Sequence, residues 1–441
     1  MSNTEIKEKL ELGQILKLFT SGCKPENEHK IGIEYERLPV FSVTKRTVDY
    51  YSEFGICNFL REFAKEDNWD YIIDDYSIIG LKQGHDTITL EPGSQFELSL
   101  KPEAKISDIE KKIDLLDKKM KPILNKLGIE LLGYGISPVS THKNIKLIPK
   151  QRYHIMAKYL WGILSDVMMR ETAGIQACFD FSSEEDAVRK YIIANKLSPF
   201  MTAMFANSPI RGGVDTGYKT FRALSWLNTD NDRCGFVGDL SNKFSFEEYI
   251  RHVLKSPMIF VNKENFPVQI NGKINFKTYM QDGLENFTPD INDFILHSNL
   301  YFPEVRLRNF IEIRNHDCVN HGLQFAILAI YKGILYNKTA MDEIEDLFSI
   351  FEYKDFAELR YNVPKNALNC KIRDFEVSEI AKNILFIAEK ALLKNNEGEE
   401  KYLDIIKEFT MQNLSPADVI LKNWYGLWNK DINKLIKHIA T

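Results

Sequence analysis

The chain has no C-x-x-C pair, no glycine-rich phosphate loop, no basic excess, no internal repeat and no apolar run of membrane length. Its six cysteines (Cys23, Cys57, Cys178, Cys234, Cys318, Cys370) are spread along 441 residues. That spacing argues against a zinc knuckle or a disulfide framework and suggests a reducing compartment, expected to be the cytoplasm. No stretch approaches the roughly 18 apolar residues of a membrane helix, so no membrane partner is expected. A net charge of −5 leaves no basic footprint for nucleic acid. The G-x-x-x-x-G-K-[ST] pattern is missing, and Gly133-Tyr134-Gly135 lacks the third glycine of a dinucleotide fingerprint. His316, Asp317, Cys318 and His321 lie close in sequence without the remaining geometry of a zinc or Cys–His site. The first 19 residues mix acidic and apolar side chains and read as an amphipathic helix, not a signal or transit peptide.

What remains is the composition of a soluble globular enzyme, 44% hydrophobic and 27% charged. The length suits one large catalytic domain over residues 1–441, with 321–441 a mostly helical portion packed on it. Strand patterns fall at 30–41, 69–74, 86–91, 95–100, 129–136, 173–181 and 309–314. Helical patterns fall at 53–66, 105–127, near 152–163 and at 183–206, and almost continuously from about 321 to 439. The stretch 207–245, rich in Gly, Asp, Asn and Ser, reads as a long functional loop. Strands before 315 and helices after it predict an α+β fold with a mostly antiparallel sheet.

The strands carry the chemistry. Side chains two apart on a strand share a face, about 7 Å from each other. Ile31, Ile33 and Tyr35 point one way, and Glu34 and Glu36 the other. Phe96, Leu98 and Leu100 oppose Gln95, Glu97 and Ser99. Ile175, Ala177, Phe179 and Phe181 oppose Gln176, Cys178 and Asp180, and Ile311 and Ile313 oppose Glu312 and Arg314. A sheet with one solvated face would also alternate. Solvated faces usually mix Lys, Thr and Ser, whereas the recurring group here is Glu, a poor strand former. Like charges on one face repel unless a cation sits among them. Oxygen ligands without a His/Cys cluster favour Mg²⁺ or Mn²⁺, and Mg²⁺ held by carboxylates normally also binds phosphates. The residues therefore indicate a nucleotide site on one face of the sheet.

Ile33-Glu34-Tyr35-Glu36, the run Leu90–Ser99 (LEPGSQFELS) and Phe310-Ile311-Glu312-Ile313-Arg314 resemble signatures of glutamate–cysteine ligases of the plant and proteobacterial type. The resemblance continues through 149–153 (PKQRY), 176–183 (QACFDFSS), 205–209 (FANSP) and the segment from Arg222 through Trp226 and Thr229-Asp230 to Arg233. It implies a curved antiparallel sheet funnel, similar to glutamine synthetase and guanido kinases, with helices outside. It implies that Glu34, Glu36, Glu91, Glu97 and Glu312 hold two or three Mg²⁺ ions, with Mn²⁺ as a substitute. Arg314 would contact ATP phosphates, with Lys150 and Arg152 also on ATP. Arg222 and Arg233, with Gln95 and Trp226 beside them, would orient glutamate or the transferring phosphoryl group. The implied reaction joins the γ-carboxylate of L-glutamate to the amine of L-cysteine through γ-glutamyl phosphate, in a monomer or homodimer.

Two other functions fit the same residues: a related ligase using another acceptor amine, and a non-catalytic nucleotide-binding regulator. One position departs from the family's pattern. Cys178 stands where the family carries Asn, or His in more distant relatives. A neutral thiol is a weak substitute for either near Mg²⁺.

Overall fold

Period-two alternation places nine strands in one sheet. The computed structural model describes residues 10–238, 244–263, 266–284 and 287–441. The strands are β1 (Ile31–Phe41), β2 (Asp70–Asp74), β3 (Ser77–Gln83), β4 (Asp86–Leu90), β5 (Phe96–Ser99), β6 (Ile129–Leu132), β7 (Gly174–Phe179), β8 (Val305–Leu307) and β9 (Ile311–Asp317). Their order is β8-β9-β7-β1-β5-β4-β3-β2, with β6 on the second half of β1. Every pairing in this sheet is antiparallel, as the sequence predicts.

Ile31, Ile33, Tyr35, Phe96, Leu98, Ile175, Ala177, Phe179, Ile311 and Ile313 are all buried on one face. Each large apolar side chain so buried contributes about 1.5–3 kcal/mol. The helix Leu323–Leu335 packs against β7 and is buried along its whole length. A helix apolar on every side belongs in a core, and this one carries the apolar face of the sheet. The helix Glu184–Met204 packs on β8 and β9. Its N-terminus is capped by Ser183, whose side chain accepts from the Asp186 N–H.

The structure adds elements that the sequence patterns hide. β3, absent from the strand patterns above, contains Gly80, and that glycine is required there. A Cβ would lie 2.5 Å from the Ile88 carbonyl oxygen. The expected long loop at 207–245 contains the helix Phe221–Leu227 and short strands at Ile210–Arg211, Val214–Asp215 and Cys234–Gly235; residues 239–243 lie outside the described residues. The helix near 152–163 runs over Gln151–Tyr159, and a second, Ser165–Glu171, follows it. Helices also form at Phe246–Lys255, Phe276–Asp282 and Ile291–Asn299, before the helical block. That block itself contains a small hairpin, Lys371–Ile372 with Phe375–Glu376. Of the expected opening helix, residues 1–9 lie outside those described, and Leu12–Thr20 is helical.

Candidate active site

The face of the sheet opposite the core brings carboxylates together. Glu36 on β1 lies directly across from Glu97 on β5, and Glu34 is flanked by Ser99 on β5 and Gln176 on β7. Glu91 follows the end of β4 in a tight turn closed by the Ser94 N–H donating to its carbonyl. Glu34, Glu36, Glu91 and Glu97 line one cavity. Glu36 accepts from the Gly174 N–H (2.5 Å) and Gln176 Nε2 (3.1 Å). Glu97 accepts from Thr89 Oγ1 (2.7 Å), and Glu91 from the Tyr153 hydroxyl (2.9 Å).

These contacts do not balance the charge. Burial, then the neighbouring Glu312, push Glu34 up to about 7. Burial, then Glu91, Glu34 and Glu36, hold Glu97 well above the carboxylate range. Burial raises Glu36 too, opposed in part by Arg222. Opposed like charges on paired strands are unfavourable, so the donor set fits hard divalent cations. Among the described residues, no three His, Cys, Asp or Glu side chains already converge as a cage. Mg²⁺ commonly takes only one or two carboxylates and completes its shell with phosphates and water.

Arginines line the other side. Arg314 Nη1 donates to Gln176 Oε1 and to Glu312 Oε1. Arg306 grips Glu312 with two prongs, at 2.7 and 2.8 Å, and Arg308 stands 3.6 Å away. Burial alone would raise Glu312, but Arg306 and Arg314 outweigh it and hold the carboxyl well below its usual range. Glu312, expected among the metal ligands, is held here by guanidinium groups: Oε1 accepts from Arg306 and Arg314, and Oε2 from Arg306. It anchors a cluster whose members Arg306, Arg308 and Arg314 line the cavity. The sequence reading missed Arg306 and Arg308, although their spacing in VRLR, just before β9, was a usable signal.

Arg222 is buried, donates through Nη2 to the Arg314 carbonyl (3.0 Å) and has no partner for Nε. Gly174 makes room for it, since a Cβ there would lie 2.3 Å from Arg222 Nη2. Asp317 fixes the segment that delivers it. Its carboxylate accepts from the Asn207 N–H (2.8 Å), Ser208 Oγ (2.7 Å) and Thr220 Oγ1 (2.8 Å). Thr220 caps the helix Phe221–Leu227, and Ser208 Oγ accepts from the Arg222 N–H (3.2 Å). The neighbouring His316 is buried, with its ring Nδ1 3.4 Å from the Ile175 carbonyl, and burial pushes it down to about 3.

The remaining expected residues divide. Arg233 is corrected: its guanidinium is spent on Asp230 (2.7 Å), the Leu300 carbonyl (3.0 Å), the Pro257 carbonyl (2.9 Å) and Tyr159 (3.3 Å). It joins loops and does not line the cavity. Gln95 lines it, but its amide donates to the Met169 and Thr172 carbonyls and accepts from the Gly93 N–H. Gln95 is thus tied into the wall of the cavity. Arg152 and Trp226 line the cavity, and Arg152 Nε and Trp226 Nε1 have no partner. Lys150 stands behind Tyr153, its Nζ 3.3 Å from that hydroxyl, and burial with Arg152 pushes it down to about 8. Cys178 lies between Gly32 and Glu312 in register. Burial, Glu34 and Glu312 push its thiol well up, so it is neutral. Asp180 turns away and pairs with Lys24 (2.7 Å).

Residues 30–438 match the model of Glutamate-cysteine ligase family 2 (GCS2). The chain is 32% identical over 429 residues to the chloroplastic glutamate–cysteine ligase of Nicotiana tabacum, covering 96% of this chain and 81% of that protein. It is 32% identical over 443 residues to the chloroplastic glutamate–cysteine ligase B of Oryza sativa subsp. japonica, covering 99% and 88%. Its fold is similar to the crystal structure of a Francisella tularensis glutamate–cysteine ligase in complex with AMP, with a TM-score of 0.58, 12% identity, and coverage of 93% of this chain and 88% of that one. The expected cytoplasmic setting is overturned by these relatives, which are chloroplastic. Thiol spacing reports at most a reducing environment and does not say which compartment supplies it. With the family model matched from the first strand of the carboxylate face to the last helix, the chain belongs to glutamate–cysteine ligase family 2.

Proposed function

We propose that the chain joins the γ-carboxylate of L-glutamate to the amine of L-cysteine at the expense of ATP. The observation that carries this reading is the opposition, across one cavity, of uncompensated carboxylates on β1, β5 and the turn before β5 to the arginines Arg222, Arg306 and Arg314. Glu34, Glu36, Glu91 and Glu97 would hold two or three Mg²⁺ ions, or Mn²⁺, which when bound neutralise charge on the ATP phosphates. Arg314, oriented by Glu312, would face the phosphoryl oxygens, where a planar fork gives two-pronged contact. Arg152 would do the same from the opposite wall, and the free Nε of Arg222 would meet a glutamate carboxylate. A γ-carboxylate oxygen attacks the γ-phosphorus and ADP leaves. The cysteine amine then attacks the carbonyl carbon, loses a proton, and phosphate departs. Positioning on rigid strands supplies much of what such a transfer needs. The apolar wall of Met156, Met168 and Met169 keeps water from the acyl phosphate.

ADP release from the purified protein, with glutamate, cysteine and Mg²⁺ omitted in turn, tests the proposal. All three should be required, and EDTA should abolish turnover. Undiminished ADP formation without glutamate rejects the reading. Faster turnover with another amine would assign a different acceptor.

A further inference from the structure

A groove that shares no lining residue with the carboxylate cavity carries polar groups the fold does not use. It runs between the end of the helix Gln151–Tyr159, the loop after the helix Phe221–Leu227, and the end of the hairpin Phe260–Lys263 with Phe266–Gln269. Lys158, Asp232, Gln269 and Asn271 line it, and all four are exposed. Among the described residues, none of their side chains makes an ion pair or a hydrogen bond. Opposite charges elsewhere on this surface find each other, as Lys119 does Asp67 (2.6 Å) and Lys126 does Glu62 (2.9 Å). Lys158 and Asp232 line one groove and stay apart. Trp161 lines it too, and of the five tryptophans it alone is exposed, at 70%. Its place is built into the fold. The Gly162 N–H donates to the Thr229 carbonyl (3.0 Å) and the Leu164 N–H to the Asn228 carbonyl (3.2 Å). A Cβ on Gly162 would lie 2.1 Å from the Thr229 carbonyl oxygen. The floor is fixed as well, since Arg233 Nη2 donates to the Tyr159 hydroxyl (3.3 Å) and the Pro257 carbonyl (2.9 Å).

We infer that this groove is an effector site for a free α-amino acid with an apolar side chain, separate from the catalytic cavity. The ammonium group meets Asp232. The carboxylate meets Lys158, with the Gln269 and Asn271 amides as further donors. The side chain lies on Trp161 and Pro257. A simple anion would be repelled by Asp232 and a simple cation by Lys158, so a zwitterion is the ligand that both charges favour. The groove reaches the cavity through one short helix. Arg152, Tyr153 and Met156 of Gln151–Tyr159 line the cavity, and Lys158 and Tyr159 line the groove. An amino acid that ties the end of this helix to the hairpin therefore acts on nucleotide binding. The binding assignment stands apart from the ligase reading, while the effector role rests on that reading's ATP site.

L-Phenylalanine is the probe, since its side chain is neither a thiol nor an acid. Because Trp161 is the exposed indole, binding should change tryptophan emission saturably and protect it from acrylamide. Phenethylamine, which lacks the carboxylate, and 3-phenylpropionate, which lacks the ammonium, should each bind about 10-fold more weakly or worse, the scale of one charge-assisted hydrogen bond. Lys158→Gln and Asp232→Asn should each weaken L-phenylalanine by a similar factor in calorimetry. Both positions are exposed, so both variants should melt with the wild type. Trp161→Ala should abolish the emission change. Saturating L-phenylalanine should alter the wild type's affinity for ATP with Mg²⁺ by about 5-fold or more, and should do so less in Asp232→Asn. No saturable change in emission, or equal affinity in the wild type and both charge variants, would overturn the groove assignment. Binding as expected with an unaltered ATP affinity would overturn the effector role. A wild type that binds no ATP overturns the ligase reading, and the effector role falls with it, while the emission data still decide the groove.

Discussion

Glu34 accepts no hydrogen bond among the described residues, and its carboxyl is pushed up to about 7 by burial and Glu312. Its ordinary value is 4.5. A carboxyl raised by folding favours the fold only while protonated. That contribution is complete below about 4.5 and lost as pH rises through about 7. In EDTA, Glu34→Gln should therefore melt above the wild type at pH 8, and the gap should close as pH falls toward 4.5. Melting curves over that range check it, and a gap that widens on acidification would contradict it. The same substitution should lower turnover, because stability and activity conflict where charge is held for a ligand. Cys178 makes the opposite case. Its thiol is neutral and sits between Gly32 and Glu312, so it behaves as a small packing group. Cys178→Asn, which adds an oxygen ligand, should retain or improve turnover without weakening apparent Mg²⁺ affinity. Mild oxidants should affect both forms alike. Oxidant sensitivity that vanishes with the thiol would assign the cysteine a role of its own.

At the scale of elements, the segment 207–227 depends on one carboxylate. Asp317 Oδ2 accepts from the Asn207 N–H and Ser208 Oγ, while Oδ1 accepts from Thr220 Oγ1. An amide cannot replace both oxygens, so Asp317→Asn turns an N–H toward a buried donor. We expect this variant to raise the KM for glutamate about 10-fold, roughly the cost of one buried unsatisfied group, with a smaller change for ATP. Hydrogen exchange should quicken over 207–227 and stay slow in Leu323–Leu335. Equal quickening in both would show general destabilisation. This element also marks how far the sequence could be read. The strands were legible because burial of one face enforces period two, and Glu34, Glu36 and Glu97 fell on the polar side as alternation required. Phe221–Leu227 was hidden because its neighbours are loop formers, and only the Thr220 cap announces it. Arg233 misled because an arginine's type does not reveal whether its five donors are already spent, and here Asp230 and three further groups take four of them. The ion pair of Arg360 with Glu304 spans 56 positions, and no local pattern links the two.

Across the whole molecule, strands drawn from residues 31–317 form the site, and the later helices hold that sheet from behind. Ligands that bind the carboxylate face should therefore stabilise the entire fold. Mg²⁺ with ATP should raise the melting temperature more than either alone, by an amount that EDTA removes. At about 100 times Kd the linkage is worth about 2.7 kcal/mol. Separate, unlinked shifts for Mg²⁺ and ATP would contradict a shared site. The register that sets Glu36 against Glu97 has a further consequence. Burial raises the pKa of both side chains, so the folded chain holds their protons more tightly. On the proposed reading, filling the site with Mg²⁺ would then be an exchange of ions, each cation that enters displacing hydrogen ions into the medium. Acidification would silence such an enzyme by competition at the metal site before it disturbed the fold. The heat of metal uptake would vary with the ionisation enthalpy of the buffer.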